Sequence, residues 1–383
     1  MDERALLEAA EASTGLGDWG DDDSFRVGLR VFVDAVEATN PSLPARQVAQ
    51  FQIVHWLSQR LHLVDDARQH PEILEVPVER PVVVIGLPRT GTTIVHELLA
   101  IDPAARAPLE WEITAVWPAP EVATFDTDPR IAACDALFAG LAQAAPELPA
   151  ILPLGAKLPA ECNRMMMYHF AGPDFWAMFG VPRFLRWVAE ERAPGVYRTH
   201  RRILQQLSWK GPRGRWTLKS PAHLFDLEGL LEEYPDACLV WTHRNPLAAL
   251  ASLASLIVTM QRANGGDPDP RVIGEEALEA FGTALERGTA SRQASPRLDG
   301  AIMDVAYRDV LEDPVGVMRE IHERFGLAFG DGHADRIRRF LAENPQDKHG
   351  RHSYRPEDFG LDLDTVRARF PRYFERFGGL LDL

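Results

Sequence analysis

The sequence predicts an α/β fold: three layers around a central parallel sheet, enlarged by N-terminal and inserted helices. Three observations predict it. Pro81-Val82-Val83-Val84-Ile85 is a short apolar run rich in β-branched residues. It ends in a glycine-bearing turn and passes into a helical stretch, Thr92 to Ala100, the opening of a βαβ unit. Further strand candidates follow at Trp216-Thr217-Leu218, Cys238-Leu239-Val240-Trp241-Thr242 and Ala301-Ile302-Met303-Asp304-Val305, separated by helical stretches. Strands alternating with helices imply a mainly parallel sheet covered on both faces. The whole chain, residues 1–383, is read as one enlarged domain, long enough for a large core.

The helical additions come in two stretches. Residues 1–75 show helical periodicity, clearest from Gln47 to Leu63, and are broken by one polar loop, Gly15 to Asp23. Ser24 stands where it can cap the next helix. Residues 113–205 are rich in helix formers and aromatics, with breaks at Pro118, Pro120, Pro146, Pro149, Pro153 and Pro159. They read as a helical insertion. Its cluster of Met165, Met166, Met167, Phe170, Phe175, Trp176 and Trp187 is either core or a pocket lining; such clusters are more often core.

Composition narrows the partners. The net charge of −15 opposes general binding to nucleic acid or an anionic membrane. Any anionic ligand therefore needs a local basic cluster. Cys134, Cys162 and Cys238 are odd in number and widely spaced, which argues against a disulfide framework and shows no zinc spacing. Reduced cysteines fit a cytoplasmic protein. The acidic start, Met1-Asp2-Glu3-Arg4, is no signal peptide, and no run of about 18 apolar residues is evident, so no membrane span is expected.

The turn after the first strand carries the chemistry. Gly86-x-x-x-x-Gly91-Thr92-Thr93 has the frame of a phosphate-binding loop: successive backbone N–H groups and then a helix N-terminus surround an anion. The nucleoside-triphosphate version carries a lysine that reaches the β- and γ-phosphates, with a hydroxyl on magnesium. Here Thr92 occupies the lysine position, and Arg89 is the loop's cation. That set suits a metal-free phosphate or phosphosulfate held by N–H groups, hydroxyls and one guanidinium. A P-loop phosphotransferase or NTPase, and a non-catalytic nucleotide-binding module, stand as alternatives.

Pro88-Arg89-Thr90-Gly91-Thr92-Thr93 resembles the 5′-phosphosulfate loop of sulfotransferases that use 3′-phosphoadenylyl sulfate (PAPS). The motifs are similar to tyrosylprotein sulfotransferases, and the chain as a whole to a bacterial branch of the family. The resemblance implies a nucleotide-kinase-like P-loop fold. It also implies in-line transfer of a sulfuryl group from PAPS to an acceptor hydroxyl, leaving adenosine 3′,5′-bisphosphate (PAP), with no metal. It implies that Arg89, Thr90, Gly91, Thr92 and Thr93 hold the 5′ end. Arg244, at a strand end in Arg244-Asn245-Pro246, and Ser252, eight residues later, match the arginine and serine that hold the 3′-phosphate. Tyr307 resembles a residue near the nucleotide. Lys348 and Arg351, in a basic segment near the end of an acidic chain, are further 3′-phosphate candidates. His349 and His352 beside them lack a carboxylate pattern for a metal.

Sulfuryl transfer needs a base for the acceptor hydroxyl and positive charge where the bond to phosphate breaks. Arg89 and Lys219 can supply the charge. Lys219 leads a segment, Lys219-Ser220-Pro221-Ala222-His223, that resembles a stretch of the tyrosylprotein enzymes. Glu110, 21 residues past Arg89, matches the place of their catalytic glutamate, and Trp111 suggests an apolar setting that raises its pKa. His223 is the second candidate base, four residues past Lys219 rather than the two of the cytosolic enzymes. The acceptor is expected to be a small hydrophobic molecule, a phenol, sterol or lipid alcohol, with the helical insertion on its side of the protein. Oligomeric state is left open.

Overall fold

β-Branched residues on both faces let a strand sit at the centre of a parallel sheet. Val82–Gly86 (β1) is buried along its whole length and occupies that place. Ala105–Arg106 (β2), Arg215–Lys219 (β3), Cys238–His243 (β4) and Ile302–Ala306 (β5) complete the sheet. The order is β2-β3-β1-β4-β5, and every pairing is parallel. In register, Val84 stands opposite Lys219 and Gly86 opposite Thr242. The C-terminal ends of β1, β3 and β4 therefore share one edge of the sheet. Two-residue β2 was not expected from the sequence; it is too short to show a period.

The computed structural model describes residues 1–345 and 354–382. They form two compact units. The sheet unit comprises residues 79–107, 138–154 and 214–383. One face of its sheet, through Val82, Val84, Val240 and Val305, meets Val95, Leu98, Met318, Ile321 and Ile337. These come from the helix Thr92–Ala100 and from helices Pro314–Arg324 and Asp331–Glu343. On the other face, Trp241 meets Gly288 of helix Pro270–Ala294 and Phe377 of helix Pro371–Phe377. That is the expected three-layer arrangement. Helix Pro246–Ala263 has the length and apolar composition to cross a membrane, contrary to the sequence expectation, yet 67% of it is buried.

The helical unit comprises residues 1–78, 108–137 and 155–213. It joins α1 (Glu3–Thr14), α2 (Phe25–Ala38) and α3 (Leu43–Gln69) to most of the insertion. Phe32 of α2 stacks on Phe175 with ring centroids 4.1 Å apart, and Trp56 of α3 meets Phe175 edge-on at 5.0 Å. Gly28 lies so close to the Phe170 carbonyl that a Cβ would come within 2.1 Å of it. Two stretches far apart in the chain thus share one aromatic core. Met165, Met166, Met167, Phe170, Phe175 and Trp176 are all buried; they are core residues. Ser24 stands before α2, but its hydroxyl turns to Asp22 and His169 instead of capping.

Candidate donor site

The loop between β1 and the next helix, α4 (Thr92–Ala100), is shaped by two glycines. Gly86 has φ +143°, and a Cβ there would come within 2.5 Å of Thr242 Oγ1. Gly91 has φ +88°, and a Cβ there would come within 2.5 Å of Tyr307 Cδ2. Both positions exclude any side chain. Arg89 adopts φ +70°, an unusual conformation for a residue with a Cβ. No side chain caps α4, so its first N–H groups remain for an anion.

The loop is tied down from below. Thr90 is fully buried; its hydroxyl donates to Leu87 O at 2.7 Å and lies 2.7 Å from Thr242 Oγ1. It braces the turn from inside. Thr92 is also buried, whereas Thr93 is half-buried and accepts from Lys219 Nζ at 3.3 Å. Lys219 ends β3. Burial, with Lys219 adding to it, pushes neighbouring His96 down to about 3. His96 is therefore neutral, and its Nε2 donates to Thr217 O at 3.0 Å.

The other cation follows β4. His243 is the last strand residue, Arg244 the turn, and the Asn245 side chain accepts from Leu247 N at 2.9 Å to cap helix Pro246–Ala263. Pro246 at the first helical turn needs no N–H partner. Arg244 Nη1 donates to Arg89 O at 3.0 Å, and its guanidinium lies 4.6 Å above the Tyr307 ring. Arg89 Nε donates to Ser252 Oγ at 3.1 Å, from the second turn of that helix. So Arg89, Thr90, Gly91, Thr92, Thr93, Lys219, Arg244, Ser252 and Tyr307 form one contiguous constellation within the sheet unit. Lys348 and Arg351 lie outside the described residues.

The comparisons with known proteins point the same way. Residues 81–331 match the model of a sulfotransferase family. The chain belongs to the sulfotransferase family. Sulfotransferase STF9 from Mycobacterium avium superposes with a TM-score of 0.86 at 31% identity, over 98% of this chain and 96% of that one. Sulfotransferase STF1 from Mycobacterium tuberculosis H37Rv gives 0.82 at 30%, over 97% and 98%. The omega-hydroxy-beta-dihydromenaquinone-9 sulfotransferase Stf3 of Mycobacterium bovis is 24% identical over 290 residues, 70% of this chain and 68% of that protein. The chain is thus an enzyme that transfers a sulfuryl group, with PAPS as the donor standard for its family.

The two candidate bases of this sulfotransferase have different settings. His223 lies in the sheet unit, in the 3-10 turn Pro221–Phe225 directly after β3, and is fully buried. Ser220 starts that turn by accepting from Ala222 N at 3.0 Å. Glu110 lies in the helical unit and opens α5 (Glu110–Thr114). Its carboxylate is 15% exposed and is paired with Arg164 Nη1. The apolar setting expected from Trp111 is not what Glu110 has. The indole is buried beside Phe125 and Arg130, and Glu110 itself faces a cation.

Several supporting residues escaped the sequence reading. Thr242 braces both Thr90 and Gly86. His243, buried behind Arg244, has Nε2 2.9 Å from Asp304 Oδ1 and Nδ1 2.8 Å from Tyr373 Oη. A carboxylate only accepts, so Nε2 carries the proton and the Tyr373 hydroxyl donates to Nδ1. Arg292 clamps Asp304 at 2.6 and 2.8 Å. Burial works to raise Asp304, but His243 and Arg292 outweigh it and hold the carboxyl at about 2. Only the Gly86–Thr242 register could have hinted at Thr242; Tyr373 lies 130 residues from His243.

Proposed function

We propose that the loop Gly86–Thr93 holds the 5′-phosphosulfate of PAPS and that Arg244 and Ser252 hold its 3′-phosphate. The observation that carries this reading is the linked set Lys219–Thr93, Gly91–Tyr307, Tyr307–Arg244 and Arg89–Ser252 around a loop with no ATP-type lysine. The glycine cradle and the open end of α4 fit an anion that approaches the backbone closely. PAPS supplies the sulfuryl group and a phosphate leaving group. Arg89 and Lys219 stabilise the charge that develops as the bond between them breaks. Lys348 and Arg351 add positive charge for the 3′-phosphate. Donor binding needs no magnesium.

Glu110 is the base in this reading. Its carboxylate is paired with Arg164, and it is partly exposed where His223 is not. His223 is the second reading, favoured by its place in the turn that follows Lys219. Residues 113–205, with the N-terminal helices 1–75, supply acceptor recognition. The acceptor is a hydrophobic alcohol or phenol, in keeping with the menaquinone derivative named for the mycobacterial relative. We read the protein as a bacterial, cytoplasmic enzyme.

Calorimetry with PAP in the presence of a chelator tests the donor site. A saturable heat with one PAP per chain is expected. Absence of heat at saturating PAP overturns the assignment, and magnesium-dependent ATP turnover would revive a phosphotransferase.

A further inference from the structure

Asp102, His322 and His333 reach one point in the sheet unit from three segments: the turn after α4, helix Pro314–Arg324 and helix Asp331–Glu343. All three are buried. One carboxylate oxygen and one nitrogen of each ring lie within 4.8 Å of one another. His322 Nδ1 is 2.6 Å from the Met318 carbonyl. A carbonyl only accepts, so Nδ1 donates to it and Nε2 is the nitrogen left for another partner. Nε2 faces Asp102 Oδ2 at 3.5 Å and makes no hydrogen bond. Neither nitrogen of His333 makes one either; the Leu98 carbonyl is close to the ring but not in hydrogen-bond geometry.

We propose that Asp102, His322 and His333 bind a divalent transition-metal ion of the zinc class. Bonds of about 2.0–2.2 Å in tetrahedral geometry put neighbouring ligand atoms about 3.4 Å apart. The Asp102–His322 separation of 3.5 Å already matches. The Nδ1–H···O=C bond of His322 is the outer-shell contact that orients a ligating imidazole. Phe329 stacks on His333 at 4.8 Å and meets His322 edge-on at 5.3 Å, walling the site with an apolar ring. Asp102 is steadied by Ala104 N at 3.0 Å and by Arg215 Nη2 at 3.2 Å. The Arg215 charge makes the affinity lower than that of an all-anionic site. Three protein ligands leave a fourth position for water. None belongs to the loop, so the ion is structural: it ties the end of α4 to two C-terminal helices and takes no part in sulfuryl transfer.

The test uses the full-length chain, stripped with a chelator and titrated with zinc chloride at neutral pH. One ion per chain and a higher thermal midpoint are expected. His322→Gln and His333→Gln should each weaken binding by about 100-fold or more, beyond the roughly 10–100-fold that an outer-shell partner contributes. The double variant His349→Ala/His352→Ala should bind as the natural chain does. Cobalt absorption of the natural chain reads tetrahedral nitrogen and oxygen ligation even where a ligand variant fails to fold. No uptake by the natural chain overturns the proposal. So does uptake that survives His333→Gln but vanishes with His349 and His352.

Discussion

Two aspartates, one in each unit, are treated in opposite ways. Asp304 of the sheet unit sits between His243 and Arg292, which overcome its burial and hold it at about 2. Asp174 of the helical unit is partly buried and is pushed up to about 7. Burial is the main cause and Glu161 the next, with Arg164 and the Asn163 amide opposing them and Glu110 adding to the rise. The sheet unit gives its half-buried carboxylate two partners, His243 and Arg292, the latter shared with Asp299. The helical unit sets Glu110 and Asp174 near one arginine, with Glu161 adding its charge to Asp174. Charges that are fully compensated hold a site rigid; carboxylates that share one cation exchange a proton near neutral pH. The first pattern suits a donor clamp and the second suits handling of the acceptor's proton.

The sharpest test of that contrast is Glu110→Gln. As the base, Glu110 contributes about 10²–10⁴-fold to turnover. The variant should lose kcat by that factor while PAP affinity, read by calorimetry, stays as in the natural enzyme. Turnover near the natural rate would transfer the role to His223 and confine proton handling to the sheet unit.

Arg244→Ala probes the clamp. Loss of a charged hydrogen bond to the 3′-phosphate should weaken PAP binding by about 1.5–3 kcal/mol. Arg244→Lys should restore only part, because a lysine cannot reproduce the planar fork that lies over Tyr307. Unchanged affinity in both variants would remove Arg244 from the donor site.

The contrast also explains what the sequence could reveal. A parallel sheet delivers its strand ends to one edge whatever the helices do, so a loop after β1, a lysine after β3 and an arginine after β4 are legible as a set. Ser252 was legible only through the family resemblance, eight residues past Arg244, and it stands on the helix that follows β4, where Arg89 Nε donates to it. The helical unit has no such rule. The Phe32–Phe175 stack and the Glu110–Arg164 pair join residues far apart in the chain, and only packing decides them. The direction of the Thr90 hydroxyl was not legible, because it depends on Thr242 across the register. Asp102 and His322 are separated by 220 residues, so no spacing pattern could expose the metal cluster.

Asp174 makes the helical unit's stability depend on pH. Its folded pKa of about 7 lies above its ordinary 3.8, so the folded chain binds the extra proton between about pH 4 and pH 7. Stability is therefore greatest below that window and falls as pH rises through it. The loss should be about 2 kcal/mol once solvent screening is allowed for. Asp174→Asn should abolish this part of the fall, read by urea unfolding at pH 5 and pH 8. An unchanged difference between the two pH values would show that Asp174 is not the titrating group.

Tyr373→Phe should give the smallest effect and the finest test of the clamp. It removes the hydroxyl that donates to His243 Nδ1 and leaves a buried acceptor unsatisfied. The cost should be about 1 kcal/mol of stability. Asp304 and Arg292 still hold the other side of the ring, so His243 should keep its orientation and Arg244 its place. PAP affinity should then fall by no more than about fivefold, the equivalent of 1 kcal/mol. A loss as large as that of Arg244→Ala would mean that the C-terminal helix, through Tyr373, sets the position of the 3′-phosphate cation. In that case the clamp's rigidity depends on a residue 130 positions away from His243. An unchanged affinity with lowered stability would confine Tyr373 to the core.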